Sequence, residues 1–363
     1  MKVVIAGGGT AGHVNPALAL ARALGSDDVQ FMGTSTGAEA RLVPDSGYRL
    51  HEIEVRGFDR SRPLSIFGTG AKAATAFVAA RRKLRDIGPD VVVGMGGYVS
   101  LPASVGARLL GIPVVLHEQN IVLGLANRVS RPFAAAIGVS FEETLQEAGP
   151  RATFTGNPVS PDLVTCDLGE ARRSGLTRWD LDPEKRTLLV FGGSQGARSI
   201  NDAAVGLAGA WDGATDLQVL HITGRAAYED VSKRVEAAHS KLVYRVADYV
   251  SPMGEAYAVA DLALCRGGAT TVAELGVVGL PAIIVPYPHH RDRQQERHGR
   301  VLERAGAARV IDDGDATPQR IAAEVSAILR EPSVVKEMSA AAKEMGRPDA
   351  ADRLAELVRK AAS

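Results

Sequence analysis

Cysteine is nearly missing from this chain: Cys166 and Cys265 are the only two. They stand far apart and outside any metal-ligand spacing, which excludes a disulfide scaffold and fits a reducing compartment. Net charge is missing too. Lys+Arg and Asp+Glu balance at 42 each, so no overall field selects a nucleic acid, and any basic site has to be local. No apolar run approaches the roughly 20 residues of a spanning helix. The opening MKVVIAGGG enters a strand directly, without a leader-like apolar segment. At 363 residues and 45 % hydrophobic content the chain is expected to fold as two domains, on a prior of about 150 residues each.

Most of the polar chemistry lies between Asp261 and Arg297. Asp261 to Cys265 has strand length, Gly267-Gly268 breaks it, and Ala269 to Val278 has helical spacing until Gly279 and Pro281 stop it. A turn of this kind leaves the first N–H groups of the helix pointing outward, where the helix dipole favours a phosphate. Glu274, one turn in from Thr270, can accept two hydrogen bonds from a vicinal diol such as a ribose. Gln294 and Gln295, after the strand Ala282 to Val285, bring amides suited to sugar hydroxyls.

The same order opens the chain: strand Lys2 to Ala6, turn Gly7 to His13, then a helix over Pro16 to Leu24 with proline in its first turn. Strand-like runs recur at Val29 to Met32, Arg49 to Val55, Asp90 to Met95, Pro113 to Leu116 and Ala135 to Val139. Alternation with helices implies a mostly parallel sheet covered on both faces. From Gly156-Asn157-Pro158 to Lys185 the pattern dissolves, with one short helix expected near Glu170; this is the expected linker and hinge. Thr187 to Phe191, the turn Gly192 to Gly196 and a helix over Ala197 to Leu207 then restart it. The Gly96-Gly97 turn echoes Gly267-Gly268, so each half carries two glycine turns. The expected fold class is α/β: two Rossmann-like doubly wound domains, residues 1–160 and 186–345, facing a central cleft, joined by 161–185 and followed by a helix over 346–363.

Gly7, Gly9 and Gly12 spell the dinucleotide fingerprint, yet the second strand ends Gly33-Thr34-Ser35 without the acid that would hold a ribose, which disfavours an NAD-dependent oxidoreductase. His13, at the start of the first helix, is a candidate general base because its ordinary pKa lies near working pH; a structural hydrogen bond is the alternative role.

Taken together, Gly8 to His13, Gly94 to Ser100, His117-Glu118-Gln119-Asn120, Gly156 to Val159, Gly192 to Arg198 and Asp292 to Gln295 resemble the MurG family of peptidoglycan N-acetylglucosaminyltransferases, over nearly the whole chain. The resemblance implies a GT-B fold, a UDP-N-acetylglucosamine donor held mainly by the second domain, and a C-terminal helix crossing back to the first. Its acceptor is lipid I, undecaprenyl-pyrophosphoryl-MurNAc-pentapeptide. It places donor contacts at Thr10, Ala11, Gly12, Asn120, Ser160, Ser194, Val250, Arg266, the run Ala269, Thr270, Thr271, Val272, Ala273 and Glu274, and Gln294 and Gln295. Gly9, Thr10, Gly12, His13, Gly97 and Tyr98 would meet the acceptor diphosphate. One departure is Ser160, where many relatives carry an arginine for the donor diphosphate; Arg198 and Arg266 are candidate replacements.

The implied reaction is a single inverting displacement that needs no metal or other cofactor. Asp180-Leu181-Asp182 and Asp313-Gly314-Asp315 match Asp-x-Asp by letter but sit in polar turns, where aspartate commonly caps. His289, His290 and His298 complete no ligand spacing and are expected at a loop rim. Leu64, Ile66, Phe67 and Phe77 beside Arg81, Arg82 and Lys83 suit the anionic cytoplasmic face of the plasma membrane, with an ordinary amphipathic helix as the alternative. Competing functions are a GT-B transferase with another lipid acceptor such as diacylglycerol, a sugar-nucleotide epimerase, and a UDP-sugar sensor that turns nothing over.

Overall fold

The computed structural model describes residues 1–54, 66–193, 196–289 and 292–363, with residues 66–74 by their backbone. Two compact units divide the chain. The first comprises Met1–Ser160 with Arg347–Ser363, the second Pro161–Gly346.

Among the described residues the first unit has seven strands: β1 Lys2–Ala6, β2 Asp28–Gly33, β3 Arg49–Glu52, β4 Val91–Gly94, β5 Val114–Glu118, β6 Ala136–Val139 and β7 Ala152–Phe154. Their order is β3-β2-β1-β4-β5-β6-β7, every pairing parallel. The inner strands read Val-Val-Ile and Val-Val-Val because both faces are covered by helices, as parallel sheets require. Strand order reverses between β1 and β4. The turns that follow these two strands therefore open side by side at a topological switch point, the usual seat of a ligand in such sheets.

The second unit repeats the plan with six strands among its described residues: β8 Arg186–Phe191, β9 Leu217–Ile222, β10 Val243–Ala247, β11 Leu262–Cys265, β12 Ala282–Ile284 and β13 Ala308–Val310. The order is β10-β9-β8-β11-β12-β13, again all parallel, with the switch between β8 and β11. Gly192 and Gly193, and the Gly267-Gly268 turn, follow those two strands.

Three expectations are revised. The first helix runs Ala11–Leu24, so Pro16 sits in its second turn, not its first; the helix forgoes one backbone bond there, since proline has no N–H. Residues 161–185 are not a free connector. They fold into the second unit as the helices Pro161–Val164 and Leu168–Arg178, the latter capped by Asp167 and tied to Ala258 and Val259 carbonyls by Arg172. Gly156-Asn157-Pro158 is buried, and a Cβ on Gly156 would lie 2.8 Å from that of Arg347.

The last helix, Ala350–Ala362, belongs to the first unit. Leu354, Ala355 and Val358 complete the core beside Leu20 and Leu24, and Arg359 donates to the Leu24 carbonyl at 3.0 Å.

Candidate functional site

In the first unit the two glycine turns are packed on each other. A Cβ on Gly97 would stand 2.6 Å from the Gly8 carbonyl oxygen, and Gly97 has φ 78°, so only glycine fits there. The turn after β1 is held from within by Glu39, which is 1 % exposed. Its carboxylate accepts from the Gly9 amide at 2.8 Å, the Thr34 amide at 2.9 Å and the Thr34 hydroxyl at 2.7 Å. Burial works to raise its pKa, but the bonds from Thr34 and Gly9 outweigh it and hold the carboxyl below the usual range. The Gly9 N–H expected to meet a diphosphate is thus already engaged. Thr10, Ala11, Gly12 and His13 remain at the start of the first helix, and Tyr98 stands 53 % exposed on the helix Gly97–Leu109 across the switch point.

His13 is half-buried and is the first member of a chain of polar contacts. Its Nδ1 lies 3.0 Å from Gln119 Oε1; Gln119 Nε2 lies 3.0 Å from His117 Nδ1; His117 Nε2 lies 3.0 Å from the Gly156 carbonyl. His117 is fully buried, and burial pushes its imidazole down to about 4, so it is neutral at pH 7.

Glu118, 2 % exposed, organises the loop after β5. Its Oε1 accepts from the Asn120 amide at 3.0 Å and side chain at 3.1 Å, and its Oε2 from the Gly124 amide and Asn127 side chain, both at 2.8 Å. Asn120 is thereby held by its NH₂, with its carbonyl turned away from Glu118. Neither Glu39 nor Glu118 was singled out by local sequence reasoning. Glu118 closes the buried strand β5 and stands in the His117-Glu118-Gln119-Asn120 run, whereas Glu39 opens the helix Glu39–Asp45 with no local signal of its role.

In the second unit the helix Ala269–Val278 follows Gly268, which takes the N-cap position. Ala269, Thr270, Thr271, Ala273 and Glu274 are partly exposed, whereas Val272 is 6 % exposed and faces the packing. Tyr257 donates its hydroxyl to Glu274 Oε2 at 2.7 Å, and burial raises the Glu274 carboxyl to about 7, the Tyr257 bond only partly offsetting it. A Cβ on Gly267 would run into the Gln295 carbonyl, and His298 lies 2.9 Å by Nδ1 from the Gly267 carbonyl. This close packing brings the helix Gln294–Arg304 against the β11 turn. His298 is 1 % exposed, so it is part of that packing and not of a loop rim. Gln294 donates to Asp292 at 2.7 Å, and Gln295 accepts from the Tyr287 amide at 2.9 Å. Val250 is buried at 5 %.

Arg266 is committed inward. Its guanidinium donates to Asp313 Oδ1 at 2.5 Å, to the Val285 and Pro286 carbonyls at 3.0 Å each and to Ser199 Oγ at 3.0 Å, with its side chain 12 % exposed. A guanidinium so engaged does not stand in for a missing phosphate-binding arginine. The outward-facing candidate is Arg198, with its side chain 96 % exposed and 3.7 Å from Asp202. Ser160 is half-buried at the unit boundary. Of the two Asp-x-Asp matches, Asp180 to Asp182 lies in a turn, while Asp313–Asp315 forms a short 3-10 helix rather than the expected turn; Asp182 accepts from the Glu184 amide, Asp180 from Arg245, and Asp313 from Arg266 and Ser199. Among the described residues no three His, Cys, Asp or Glu side chains gather as metal ligands would.

Ser194, Leu64 and His290 lie outside the described residues, as do the side chains of Ile66 and Phe67. On the helix Ile66–Ile87, Phe77 and Lys83 are half-buried, and Arg81 and Arg82 exposed. Among the described residues no helix is long and apolar enough to cross a membrane.

Two Rossmann-like units with parallel sheets are the architecture of a GT-B protein. Residues 3–139 match the glycosyltransferase family 28 N-terminal domain and residues 187–354 its C-terminal domain. The chain is 41 % identical to the UDP-N-acetylglucosamine–N-acetylmuramyl-(pentapeptide) pyrophosphoryl-undecaprenol N-acetylglucosamine transferase of Corynebacterium efficiens, covering 100 % of this chain and 98 % of the relative. To the transferase of that name from Halothermothrix orenii it is 38 % identical, covering 99 % and 98 %. The crystal structure of MurG from Acinetobacter baumannii superposes with a TM-score of 0.77 at 29 % identity, covering 99 % of this chain and 100 % of that one. The chain belongs to the MurG family of glycosyltransferases.

Proposed function

We propose that this chain transfers N-acetylglucosamine from UDP-N-acetylglucosamine to the 4-hydroxyl of the muramoyl sugar of lipid I, giving lipid II. The observation that carries this reading is the end-to-end kinship with transferases of that name. In the reaction the hydroxyl oxygen attacks the anomeric carbon and the bond to UDP breaks on the opposite face. UDP leaves with the electron pair, and a base takes the hydroxyl proton.

The second unit is read as the donor unit. Glu274 accepts the ribose hydroxyls, Ala269, Thr270 and Thr271 offer the helix start to the diphosphate, and Gln294 and Gln295 meet the sugar. The negative charge that grows on UDP is met by the helix N-termini behind Gly192 and Gly267, preorganised dipoles that cost no reorganisation during the step. On this reading the transfer needs no metal. The first unit is read as the acceptor unit, with His13 as base and the helix start at Thr10 to Gly12 beside Tyr98 as the diphosphate seat.

A peripheral place on the cytoplasmic face of the plasma membrane follows from a lipid acceptor. It is supported by the exposed Val78, Arg81 and Arg82 on one helix and by the exposed Leu109, Leu125 and Val129 on the helices beyond it.

The test is transfer of labelled N-acetylglucosamine to a lipid I analogue with EDTA present, alongside a diacylglycerol control. Product on the lipid I analogue alone supports acceptor and metal independence together. UDP-sugar binding without product removes the acceptor assignment.

A further inference from the structure

The contacts around His13 fix more than its position. The Gly156 carbonyl can only accept, and it already accepts from the Thr155 hydroxyl at 3.0 Å, so His117 Nε2, 3.0 Å from the same oxygen, must carry a proton. His117 is buried where a charged ring is disfavoured, so its other nitrogen, Nδ1, is a bare acceptor. The group facing that lone pair has to be a donor, which orients the Gln119 amide: NH₂ toward His117, carbonyl toward His13. With the amide reversed, His117 would need protons on both nitrogens. The Gln119 carbonyl in turn demands a proton on His13 Nδ1. Each step removes one choice, and the last leaves the lone pair of neutral His13 on Nε2, the nitrogen not engaged by Gln119.

We infer that Gln119 and His117 are positioning residues that hold His13 in the Nδ1–H tautomer, presenting Nε2 as the proton acceptor. The relay does for this histidine what a carboxylate does for the histidine of a hydrolase triad, but with neutral groups throughout. The ring is also braced from the side. A Cβ on Gly96 would lie 3.2 Å from His13 Cε1 and 3.5 Å from Gln119 Oε1, so any side chain there would crowd the bond that sets the tautomer. A neutral relay holds the ring without stabilising its charged form as a carboxylate would, which suits a base that must be unprotonated before the hydroxyl arrives.

This inference rests on the reading of His13 as the base, and the experiment separates the two. The full chain labelled with [¹⁵N]histidine is studied by long-range ¹H–¹⁵N correlation, which reports the proton on each ring nitrogen without any turnover. The expected result is His13 with its proton on Nδ1 and His117 with its proton on Nε2. Gln119→Leu should release His13 into a mixture of tautomers and lower kcat at least about 10-fold, with the KM for UDP-N-acetylglucosamine within about two-fold of wild type. Gln119→Glu can still accept from His13 Nδ1–H and should restore that tautomer and part of kcat; its second oxygen offers His117 Nδ1 no donor, so the His117 ring should change its protonation, which the same spectrum reads. His13 found with its proton on Nε2 in the wild-type chain would overturn the inference, and so would a Gln119→Leu variant with unchanged tautomer and kcat. If Gln119→Leu does not fold, the wild-type spectrum still decides. A wild-type chain that transfers no sugar removes the proposed function and leaves the tautomer measurement standing.

Discussion

The Tyr257 hydroxyl points at Glu274 and donates to its Oε2 at 2.7 Å, so the carboxyl read as the ribose acceptor is held by a buried phenol on a different helix. Burial raises this carboxyl to about 7. Its folded value lies above its unfolded one, so its own contribution to stability declines as pH rises through about 7. Donor binding has the opposite sign. Hydroxyls donated by a ribose favour the charged form, so binding expels a proton below about pH 7. UDP affinity should rise with pH up to about 7, by as much as about tenfold per unit, and then level off. Calorimetry of UDP binding from pH 6 to 8 in two buffers of different ionisation enthalpy measures both slope and proton release. Glu274→Gln should weaken binding by about 1.5–3 kcal/mol and flatten the slope; an unaltered slope in that variant would dismiss the assignment.

Gly97→Ala should strain the first unit. The backbone there is left-handed and the new methyl would press on the Gly8 carbonyl 2.6 Å away. A loss of about 1–3 kcal/mol is expected, read by urea unfolding, with a smaller loss of UDP affinity because most of the residues read as the donor set, from Arg266 to Gln295, belong to the other unit. Equal losses of stability and UDP affinity would contradict that division.

Acid should destabilise both units through buried neutral histidines. His117 is pushed down to about 4 and His221 to about 3, in each case by burial. His221 is held by Asn201 at 3.1 Å and by the Tyr244 hydroxyl at 2.9 Å. A depressed folded pKa means that stability is present above about 6.5 and is lost as pH falls toward the folded value. Between pH 7.5 and 5 each histidine should cost about 2 kcal/mol. Urea midpoints at the two pH values test this, and His221→Gln should lose less on acidification than wild type does.

Leu354→Ala tests the return of the C-terminal helix. Leu354 is 0 % exposed in the first unit, and its methyl would lie 3.0 Å from a Cβ built on Gly138. Truncation should cost about 2–5 kcal/mol. Limited proteolysis should then cut within 1–160 sooner than within 161–346; faster cutting of the second unit would speak against the assignment of this helix.

Charge reversal of Arg81, Arg82 and Lys83 should reduce binding to vesicles containing anionic lipid, at about 1 kcal/mol per residue near the surface. UDP binding should not change. Co-sedimentation with vesicles of varied phosphatidylglycerol content reads it, and equal binding by wild type and variant would withdraw the membrane face.

The local letters carried the framework far. Lys2–Ala6 and Ala269–Val278 fold over the residues that periodicity and punctuation mark, because strand, glycine turn and helix are set by contacts within a dozen residues. β7, β9, β10 and β13 were not marked, although their apolar runs are there to be read. The opening helix begins at Ala11 in spite of Pro16 because tertiary packing of Val14, Ala17, Leu18 and Leu20 outweighs one lost backbone bond.

What the sequence by itself determined is a pair of doubly wound units with their glycine turns and the family they belong to, since each signal is short-range or a matter of identity at aligned positions. What only the tertiary structure decided is the work of the polar side chains inside those units. Arg266 is spent on Asp313, Glu39 on the Gly9 turn, Glu118 on the Asn120 loop, and Gln119 on joining His13 to His117. Of these, Arg266–Asp313, Glu39–Gly9 and Gln119–His13 join residues 47, 30 and 106 positions apart. Glu118 and Asn120 are close in sequence, yet no periodicity tells whether the carboxylate turns in or out. A buried polar group must find a partner wherever the fold supplies one, and that choice is made by packing in three dimensions.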